Sequence, residues 1–258
     1  MGAGRGSQRR EAGKLERMRR AGHIVASVLA EMRSLVKPGV STRELDERAD
    51  ALIRKMGGTP SFKGYQGYPA TICTSVNEEI VHGIPGPRRL VEGDIISIDV
   101  GAIWKGYQGD GAITLGVGRI QPEAQRLIDA TQAALDAGIA AARTGVRLGE
   151  VSHNIEMAAR SAGYQVIRKY GGHAIGRQMH EEPHVPNWGP KSRGPTLVAG
   201  MTLALEPMLS AGDFGTRQLE DGWTVVTSDG SLTAHCEDTI VVTEVGGEIL
   251  TRILECVE

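Results

Sequence analysis

The chain has 258 residues, of which 40% are hydrophobic and 23% charged, so its composition is that of a globular protein and excludes disorder along its whole length. Its formal net charge of −2 and aromatic content of 4% argue against a specific nucleic-acid-binding function, which needs a basic surface and stacking platforms. Glycine is frequent, with 35 residues, which indicates many tight turns and a backbone that lies close to its neighbours.

No part of the sequence predicts a membrane span or a disulfide framework. The longest uncharged stretches, residues 64–77 and 194–205, are shorter than the roughly 18 residues that a span needs, and both contain Gly and Pro. The three cysteines, Cys73, Cys236 and Cys256, include no closely spaced pair, which is typical of a reducing compartment. We therefore expect a cytoplasmic protein with no membrane partner.

The N-terminal region is basic. Residues 1–11 are rich in Gly and Arg and are expected to form a mobile tail, followed by one domain over residues 12–258. The first 20 residues hold seven Lys and Arg against two Glu. Two interpretations of this charge stay open: a solvated tail and helix start, or an electrostatic contact with an anionic partner such as the ribosome.

Helical signals follow the basic segment. Apolar residues between Ile24 and Val36 recur at helical spacing, which favours an amphipathic helix over a signal peptide for residues 19–30. This helix should stop before Pro38. The later elements are predicted in chain order: a helix from the capping box of Ser41 and Glu44 to about 57–58, β strands over 60–118, helices at 121–142 and 148–162, and strands and loops from 165 onward.

The sequence contains an internal repeat. Two pairs of segments align at nearly the same offset: 37–57 with 143–163, and 91–99 with 198–206. Two copies are too few for a solenoid, so we infer two αβ halves related by a pseudo-twofold axis. The second match ends on Asp99 in one half and on Glu206 in the other, which places two acidic residues at equivalent positions.

Two aspartates lie in a predicted hairpin. Strand 94–104 and the strand from Tyr107 should turn near Lys105–Gly106, and Asp99 and Asp110 are expected to face each other with Cβ atoms roughly 4.5–5.5 Å apart. Two facing carboxylates in apolar strands repel each other, so one is protonated or a cation lies between them. The alternative is that one aspartate bonds a turn and the other lies in water.

Further lone acids lie on apolar strands. Glu206 ends the segment TLALEP, and strand periodicity leaves open whether Glu237 or Asp238 points inward from AHCEDTIVVTE. Glycines flank His173, so the backbone can bend its ring into a cleft. Oxygen ligands with one imidazole suit Mn, Fe or Co, and zinc less clearly. Two acids from each half would suit a hydrolytic site with two metal ions.

Longer motifs resemble a known family. The segments SVNEEIVHGIP, SIDVGAIWKGYQGD, GGHAIGRQMHEEPHVPN, LALEPM and LTAHCEDTIVVT look like those of a type I methionine aminopeptidase of the bacterial kind, from about residue 12 to the end. The resemblance implies the pita-bread fold, an α/β (α+β) architecture of two pseudo-twofold-related halves with an antiparallel sheet and outer helices. It also implies removal of the N-terminal methionine from nascent polypeptides when the second residue is small.

The family's metal ligands match residue by residue. Asp99 resembles the terminal ligand of one metal ion, Asp110 and Glu237 the bridging carboxylates, and His173 and Glu206 the ligands of the other. The resemblance thus selects Glu237 over Asp238. It implies two divalent ions, of Co, Mn, Fe or Zn.

The resemblance also implies roles for residues that meet the substrate. His82 and His180 resemble the two histidines that contact it, with His180 bonding the developing oxyanion, and Glu206 is the candidate proton shuttle. The implied methionine pocket comprises Phe62, Tyr65, Tyr68, Cys73, Met179 and Trp223. Phe62 and Met179 depart from the family, where relatives have Cys and Phe. Without the resemblance, these pocket residues would be interpreted as core or rim. Asn77 and Thr233 match positions that hold a monovalent cation in some relatives.

Other members of the same fold are less compatible with the sequence. Aminopeptidase P and prolidase carry a large N-terminal domain, type II methionine enzymes carry an insertion in the second half, and eukaryotic type I enzymes carry a zinc-finger extension. None of these features is expected here. A non-catalytic relative that binds peptide or ribosome would typically lose metal ligands, whereas this chain keeps all five. We expect an active monomer.

Overall fold

The computed structural model describes residues 3–252, with side-chain surroundings from residue 13 onward. The helices in this range are α1 (Ala3–Leu35), α2 (Thr42–Lys55), α3 (Pro122–Ala141) and α4 (Leu148–Ser161), with a 3₁₀ turn at Tyr65–Gly67. In the described part of the chain, no helix is both long and apolar enough to span a membrane.

The strands are mostly short. They are β1 (Thr59–Pro60), β2 (Ile72–Val76), β3 (Glu79–Val81), β4 (Ile95–Trp104), β5 (Tyr107–Gly116), β6 (Gln165–Val166), β7 (Gly171–Ala174), β8 (Glu181–Pro186), β9 (Thr202–Leu205), β10 (Met208–Ser210), β11 (Thr216–Gln218), β12 (Val225–Thr227), β13 (Thr233–His235), β14 (Glu237–Val242) and β15 (Gly247–Ile249).

The helix boundaries follow the sequence signals. The Ser41 side chain accepts a hydrogen bond from the Glu44 N–H, and the Glu44 carboxylate accepts one from the Ser41 N–H, so the predicted capping box opens α2. Pro122 occupies the first turn of α3, where no intrahelical N–H is needed. Helix α1 ends at Leu35, before Pro38, as predicted.

The predicted N-terminal tail and the predicted cysteine states can be compared with the described residues. Helix α1 begins at Ala3 and so runs through most of residues 1–11, which were expected to form a tail. The mobility of that segment and a domain boundary at residue 12 stay predictions. Cys73 and Cys236 are buried free thiols, whereas Cys256 lies outside the described residues.

A large antiparallel sheet separates the helices from the acidic residues. It contains nine strands in the order β1-β4-β5-β14-β9-β7-β8, with β2 also paired to β4 and β15 to β14. Ile96, Ile98 and Val100 of β4 pack in one cluster with α1 and α2, and Leu203 and Leu205 of β9 pack in another with α3 and α4. Because side chains alternate along a strand, the intervening residues face away from the helices.

The predicted repeat is visible in the backbone. The register Pro60↔Ala102 between β1 and β4 recurs as Val166↔Leu209 between β6 and β10. Matching glycines adopt positive φ at equivalent turns and helix ends, where an L side chain would be strained. These pairs are Gly39 and Gly145 (92° and 87°), Gly57 and Gly163 (80° and 87°), and Gly93 and Gly200 (98° and 85°). The two halves meet where β5 pairs with β14 at the centre of the sheet.

The register of the hairpin differs from the expectation. The two-residue turn pairs Trp104 with Tyr107, so Asp99 lies opposite Ala112, and Asp110 lies opposite Gly101. The aspartates are therefore diagonal neighbours on one face rather than a directly facing pair. The prediction was wrong because it took both residues as equidistant from the turn, whereas Asp99 lies five positions before Trp104 and Asp110 three after Tyr107.

Candidate metal centre

The acidic residues converge on the sheet face opposite the helices. Cys73, Asp99, Ala112 and Glu237 form one row across β2, β4, β5 and β14, because each pairs directly with the next. Asp110 lies two residues along β5 from Ala112 and therefore points to the same face. The central strands thus bring carboxylates from both halves to one place.

Distances between side chains define a compact cluster. Ligand atoms of Asp110, His173 and Glu237 all lie within 4.8 Å of one another. His173 Nε2 is 3.9 Å from Asp110 Oδ2 and 3.7 Å from Glu206 Oε1. The Nδ1 of the same ring is 3.1 Å from the backbone oxygen of Ala174, and this contact orients Nε2 toward the carboxylates.

The structure distinguishes the two adjacent acids of β14. Glu237 is on the face of the cluster, while Asp238 points to the other face. There its Oδ2 lies 2.6 Å from Arg252 Nη2, and its Oδ1 accepts a hydrogen bond from Thr251 Oγ1. Arg252 therefore compensates the charge of Asp238 within the protein, and the Thr251 hydroxyl satisfies its other oxygen. The described residues offer Glu237 no such partner for Oε1.

The chemistry of the cluster fits divalent cations. One buried oxygen each of Asp99, Asp110 and Glu237 has no hydrogen-bond partner within the described structure. Burial raises the pKa of each of these carboxyls and of Glu206, and the neighbouring carboxylates raise those of Asp110, Glu206 and Glu237 further. Grouped carboxylates without positive side chains are costly unless cations or protons compensate them, so this donor set suits hard or borderline metal ions.

The nearby histidines are held neutral. Burial, with a contribution from His180, lowers the pKa values of His82 and His173 to about 4. A neutral imidazole has a lone pair available for a metal ion or a donor proton. His82 also adopts a φ of 62°, an uncommon conformation for a residue with a side chain.

Two threonines clamp the central strands. Thr239 Oγ1 of β14 accepts a hydrogen bond from the Asp110 N–H and donates one to the Asp110 carbonyl oxygen. Thr114 Oγ1 of β5 makes the same pair of bonds with the backbone of His235. These clamps supply hydrogen bonds beside the short β5–β14 ladder and fix the backbone at the cluster.

A mostly apolar cavity opens beside the carboxylates. The site residues that line it are Phe62, Tyr65, Gln66, Tyr68, Cys73, His82, Asp99, Asp110, His173, His180, Glu206, Trp223 and Glu237. The Tyr68 and Trp223 rings meet edge to face at 5.1 Å, and the Tyr65 hydroxyl lies 2.8 Å from His180 Nδ1. The structure therefore brings five of the six predicted pocket residues together with both predicted substrate histidines.

One predicted pocket residue lies behind this lining. Met179 is buried in the same apolar cluster, and its methyl group packs over Gly101 beside the Phe62 ring. A Cβ on Gly101 would lie 2.6 Å from Phe62 and 2.9 Å from Met179, so this glycine provides the space for both. Met179 thus supports the wall rather than forming its surface.

Two residues of the site were missed by the sequence analysis. Gln66 lines the cavity from the 3₁₀ turn. His235 lies 3.9 Å from Glu237 and 4.0 Å from Glu206, and burial and the neighbouring His82 lower its pKa to about 3. The alternation His235, Glu237, Thr239 along the chain was a usable signal for His235, because it places all three on one face.

The two residues of the predicted monovalent site are neighbours. The Asn77 backbone oxygen accepts a hydrogen bond from the Thr233 N–H at 3.0 Å. The Asn77 side chain is engaged with Asp94 and with the Ile95 N–H. The Thr233 hydroxyl is buried and has no hydrogen-bond partner in the part of the chain described. Cation binding here stays a prediction.

Comparisons with known proteins agree with this geometry. The model of metallopeptidase family M24 matches residues 16–244. Methionine aminopeptidase 1 of Bacillus subtilis (strain 168) is 49% identical over 236 residues, which are 92% of this chain and 95% of that protein. The crystal structure of a methionine aminopeptidase from Thermotoga maritima superposes with a TM-score of 0.92 at 45% identity, covering 93% of this chain and 97% of that one.

A more distant structure shares only the architecture. An Xaa-Pro dipeptidase from Bacillus anthracis has a TM-score of 0.75 at 22% identity, and the match covers 94% of this chain but 61% of that one. The fold is thus the pita-bread fold, common to these peptidases, while the close matches over nearly full length share one activity name. The chain belongs to metallopeptidase family M24 and, within it, to the type I methionine aminopeptidases.

Proposed function

We propose that this protein removes the N-terminal methionine from polypeptides whose second residue is small, by metal-assisted hydrolysis of the first peptide bond. One observation carries the proposal: a buried cluster of four carboxylates and a neutral imidazole opens directly into a cavity with apolar and aromatic walls. The membership in the methionine aminopeptidases supports the same activity.

Five side chains would hold the metal. Asp99, Asp110 and Glu237 would bind one divalent ion, and Asp110, Glu237, His173 and Glu206 a second, so that two carboxylates are shared. Candidate ions are Co, Mn, Fe and Zn, all compatible with carboxylate and imidazole ligands. When bound, such ions polarise the scissile carbonyl group and lower the pKa of the attacking water.

The protein's own residues handle protons and orientation. Glu206 is partly exposed to the cavity, so its carboxylate is placed to accept a proton from water and pass it to the leaving amine. His180 is held by the Tyr65 hydroxyl at the cavity and would donate a hydrogen bond to the carbonyl oxygen as negative charge develops there. His82 lies beside Trp223, with ring centroids 6.3 Å apart, and would orient the substrate backbone.

The cavity selects the first residue by its apolar wall. Tyr68, Cys73 and Trp223 offer a buried environment in which a methionine side chain gains roughly 1.5–3 kcal/mol relative to water. A charged side chain would lose its solvation there without a partner. We expect the space just beyond the scissile bond to be limited beside the buried cluster, which favours a small second residue.

The remaining parts of the proposal concern the setting. We expect a cytoplasmic monomer that acts on nascent chains, with a ribosome contact through the basic N-terminal region, and a monovalent cation at Asn77 and Thr233. Cosedimentation with ribosomes that weakens when Arg17, Arg19 and Arg20 are replaced by glutamate would support the ribosome contact.

A peptide panel tests the substrate assignment. The metal-loaded protein should hydrolyse the tripeptide Met-Gly-x fastest. The hydrolysis rates of Met-Leu-x and Leu-Gly-x should be at least about tenfold lower. Equal rates for Met-Gly-x and Met-Leu-x would remove the small-residue requirement, and equal rates for Met-Gly-x and Leu-Gly-x would remove the methionine preference.

A further inference from the structure

His235 is fixed at the edge of the metal centre by its backbone. It ends β13, pairs with Met208, and is 2% exposed. Its N–H donates to Thr114 Oγ1 at 2.9 Å, and its carbonyl oxygen accepts from the same hydroxyl at 2.7 Å. Because both backbone groups are engaged, the position of the imidazole is determined by the sheet rather than by a flexible loop.

The ring points at two of the carboxylates. Its Nε2 lies 4.0 Å from Glu206 Oε2 and 3.9 Å from Glu237 Oε2, and it has no hydrogen-bond partner among the described residues. Both neighbours are carboxylates, which accept hydrogen bonds when ionised. The tautomer that suits this arrangement carries its proton on Nε2. At 3.9–4.0 Å neither carboxylate is hydrogen-bonded to Nε2, and a shift of roughly 1 Å would bring one of them within hydrogen-bond distance.

His235 differs in this respect from His173. The Nδ1 of His173 is 3.1 Å from a backbone oxygen, so its proton is used there and its Nε2 presents a lone pair to the cluster. The Nε2 of His235 instead faces groups that need a donor. The two neutral imidazoles therefore suit different tasks, one as a ligand and the other as a hydrogen-bond donor to ligands.

We propose that His235 is a positioning residue of the metal centre, whose Nε2–H donates to one of the Glu206 and Glu237 carboxylates and holds it in the orientation that binds metal. The proposal rests on the proposed metal-dependent function. A donor to ligating carboxylates typically contributes about 10–100-fold in metal affinity. His235 would act through these two carboxylates and need not touch the substrate.

Three substitutions of His235 distinguish the effect of its Nε2–H donor from the effect of the imidazole ring itself. His235→Gln places an amide N–H near the position of Nε2, His235→Asn places it near Nδ1, and His235→Leu removes it. Binding of Mn²⁺ alone to the metal-free proteins is measured by the electron paramagnetic resonance signal of free Mn²⁺. The exposed His23 of α1 provides a control, His23→Leu, for adventitious binding by a histidine.

We expect His235→Asn and His235→Leu to weaken Mn²⁺ binding by about 10–100-fold, while His235→Gln and His23→Leu stay within a few-fold of the wild type. Wild-type affinity in His235→Leu or His235→Asn would overturn the proposal, as would an equal loss in His235→Gln. If His235→Leu fails to fold, the comparison of Gln with Asn still decides. If the wild type binds neither Mn²⁺ nor, in competition assays, Co²⁺, Fe²⁺ or Zn²⁺, the metal-dependent function itself is overturned.

Discussion

The acidic side chains of the metal centre lie where their charges repel one another. Asp110 and Glu237 are each 4% exposed. Each has a buried oxygen with no hydrogen-bond partner among the described residues, so a cation or a proton must compensate its charge. Acidic residues at such positions reduce the stability of the metal-free protein, and apolar residues there would remove the repulsion. Their presence therefore indicates a function. The local cost is what makes these residues recognisable as a site.

Glu206→Gln should keep the fold and the sheet register but lower kcat by about 100-fold or more, because it removes the proposed proton acceptor. It also removes a ligand charge, so metal occupancy must be measured in parallel by elemental analysis. Glu47→Gln, an exposed glutamate of α2, is the matched control and should keep wild-type turnover. Retained turnover in Glu206→Gln at full metal occupancy would exclude Glu206 as the proton shuttle.

Trp223→Ala should lower kcat/KM for Met-Gly-x peptides by about tenfold or more, and for Ala-Gly-x peptides by less, because the larger side chain loses more apolar contact. Trp188→Ala is a suitable control, since Trp188 contacts Arg168 outside the cavity. Steady-state kinetics with both peptides measures the difference. Equal losses on the two substrates would place Trp223 outside the methionine pocket.

Part of the site was predictable from single residues. Lone acids on apolar strands and the glycines around His173 indicate a metal site independently of the family resemblance. Periodicity alone could not choose between Glu237 and Asp238, because the choice depends on Arg252, which lies beyond the next turn and strand and meets Asp238 on the face opposite the cluster. The alternation of His235 with Glu237 and Thr239 indicates a shared face, but the 4.0 Å approach of His235 to Glu206 depends on the folded sheet.

The pairing of strands β5 and β14 holds the candidate metal centre together, because it brings Asp110 and Glu237 to one place. Their direct pairing covers only Glu237↔Ala112 and Asp238↔Gly111, and the threonine clamps extend the connection on either side. A side-chain hydroxyl that both donates to and accepts from one backbone residue replaces two ladder bonds. The clamp therefore allows the strands to separate at the carboxylates without leaving buried backbone groups unpaired.

Thr239→Val should destabilise the metal-free protein by about 1–3 kcal/mol, because it leaves the buried Asp110 N–H without an acceptor. The control is Thr131→Val in α3, whose hydroxyl bonds only to the Leu127 carbonyl oxygen within the helix and whose loss should cost less than about 1 kcal/mol. Urea unfolding measures both. Equal free energies of unfolding for the two variants would contradict the clamp.

At the level of elements, local signals gave the helices and the repeat. The capping box, the prolines and the positive-φ glycines act within a few residues, so sequence alone locates them. The two- and three-residue strands β6, β10 and β13 carry too few residues for a period to be recognised. The hairpin register required the turn to be counted residue by residue, and an error of two positions changed the pairing of Asp99.

Across the whole molecule, metal binding is linked to pH. Burial raises the pKa values of the carboxyls above their unfolded values, so the metal-free native state binds more protons and loses stability as pH rises through the raised values. The buried histidines act oppositely. The pKa values of His173 and His235 are about 4 and 3, below about 6.5 for an unfolded histidine, so their contribution is lost as pH falls below about 6.5.

We therefore expect Mn²⁺ to raise the Tm of the metal-free protein more at about pH 8 than at about pH 6, because fewer protons must be displaced from the carboxyls at the higher pH. Differential scanning fluorimetry at a fixed free Mn²⁺ concentration measures both shifts. The variant Asp110→Asn should show a smaller shift at each pH. A larger stabilisation at the lower pH would contradict the raised carboxyl pKa values.

The most direct test of the account follows one protein preparation through metal removal and return. Hydrolysis of Met-Gly-x is measured in the purified protein, after extensive chelation, and after readdition of a divalent ion, with metal content determined at each stage. We predict that turnover is lost with the metal, returns with it, and remains at least about tenfold faster than turnover of Leu-Gly-x. Substantial Met-Gly-x hydrolysis by the metal-free protein would contradict the central claim.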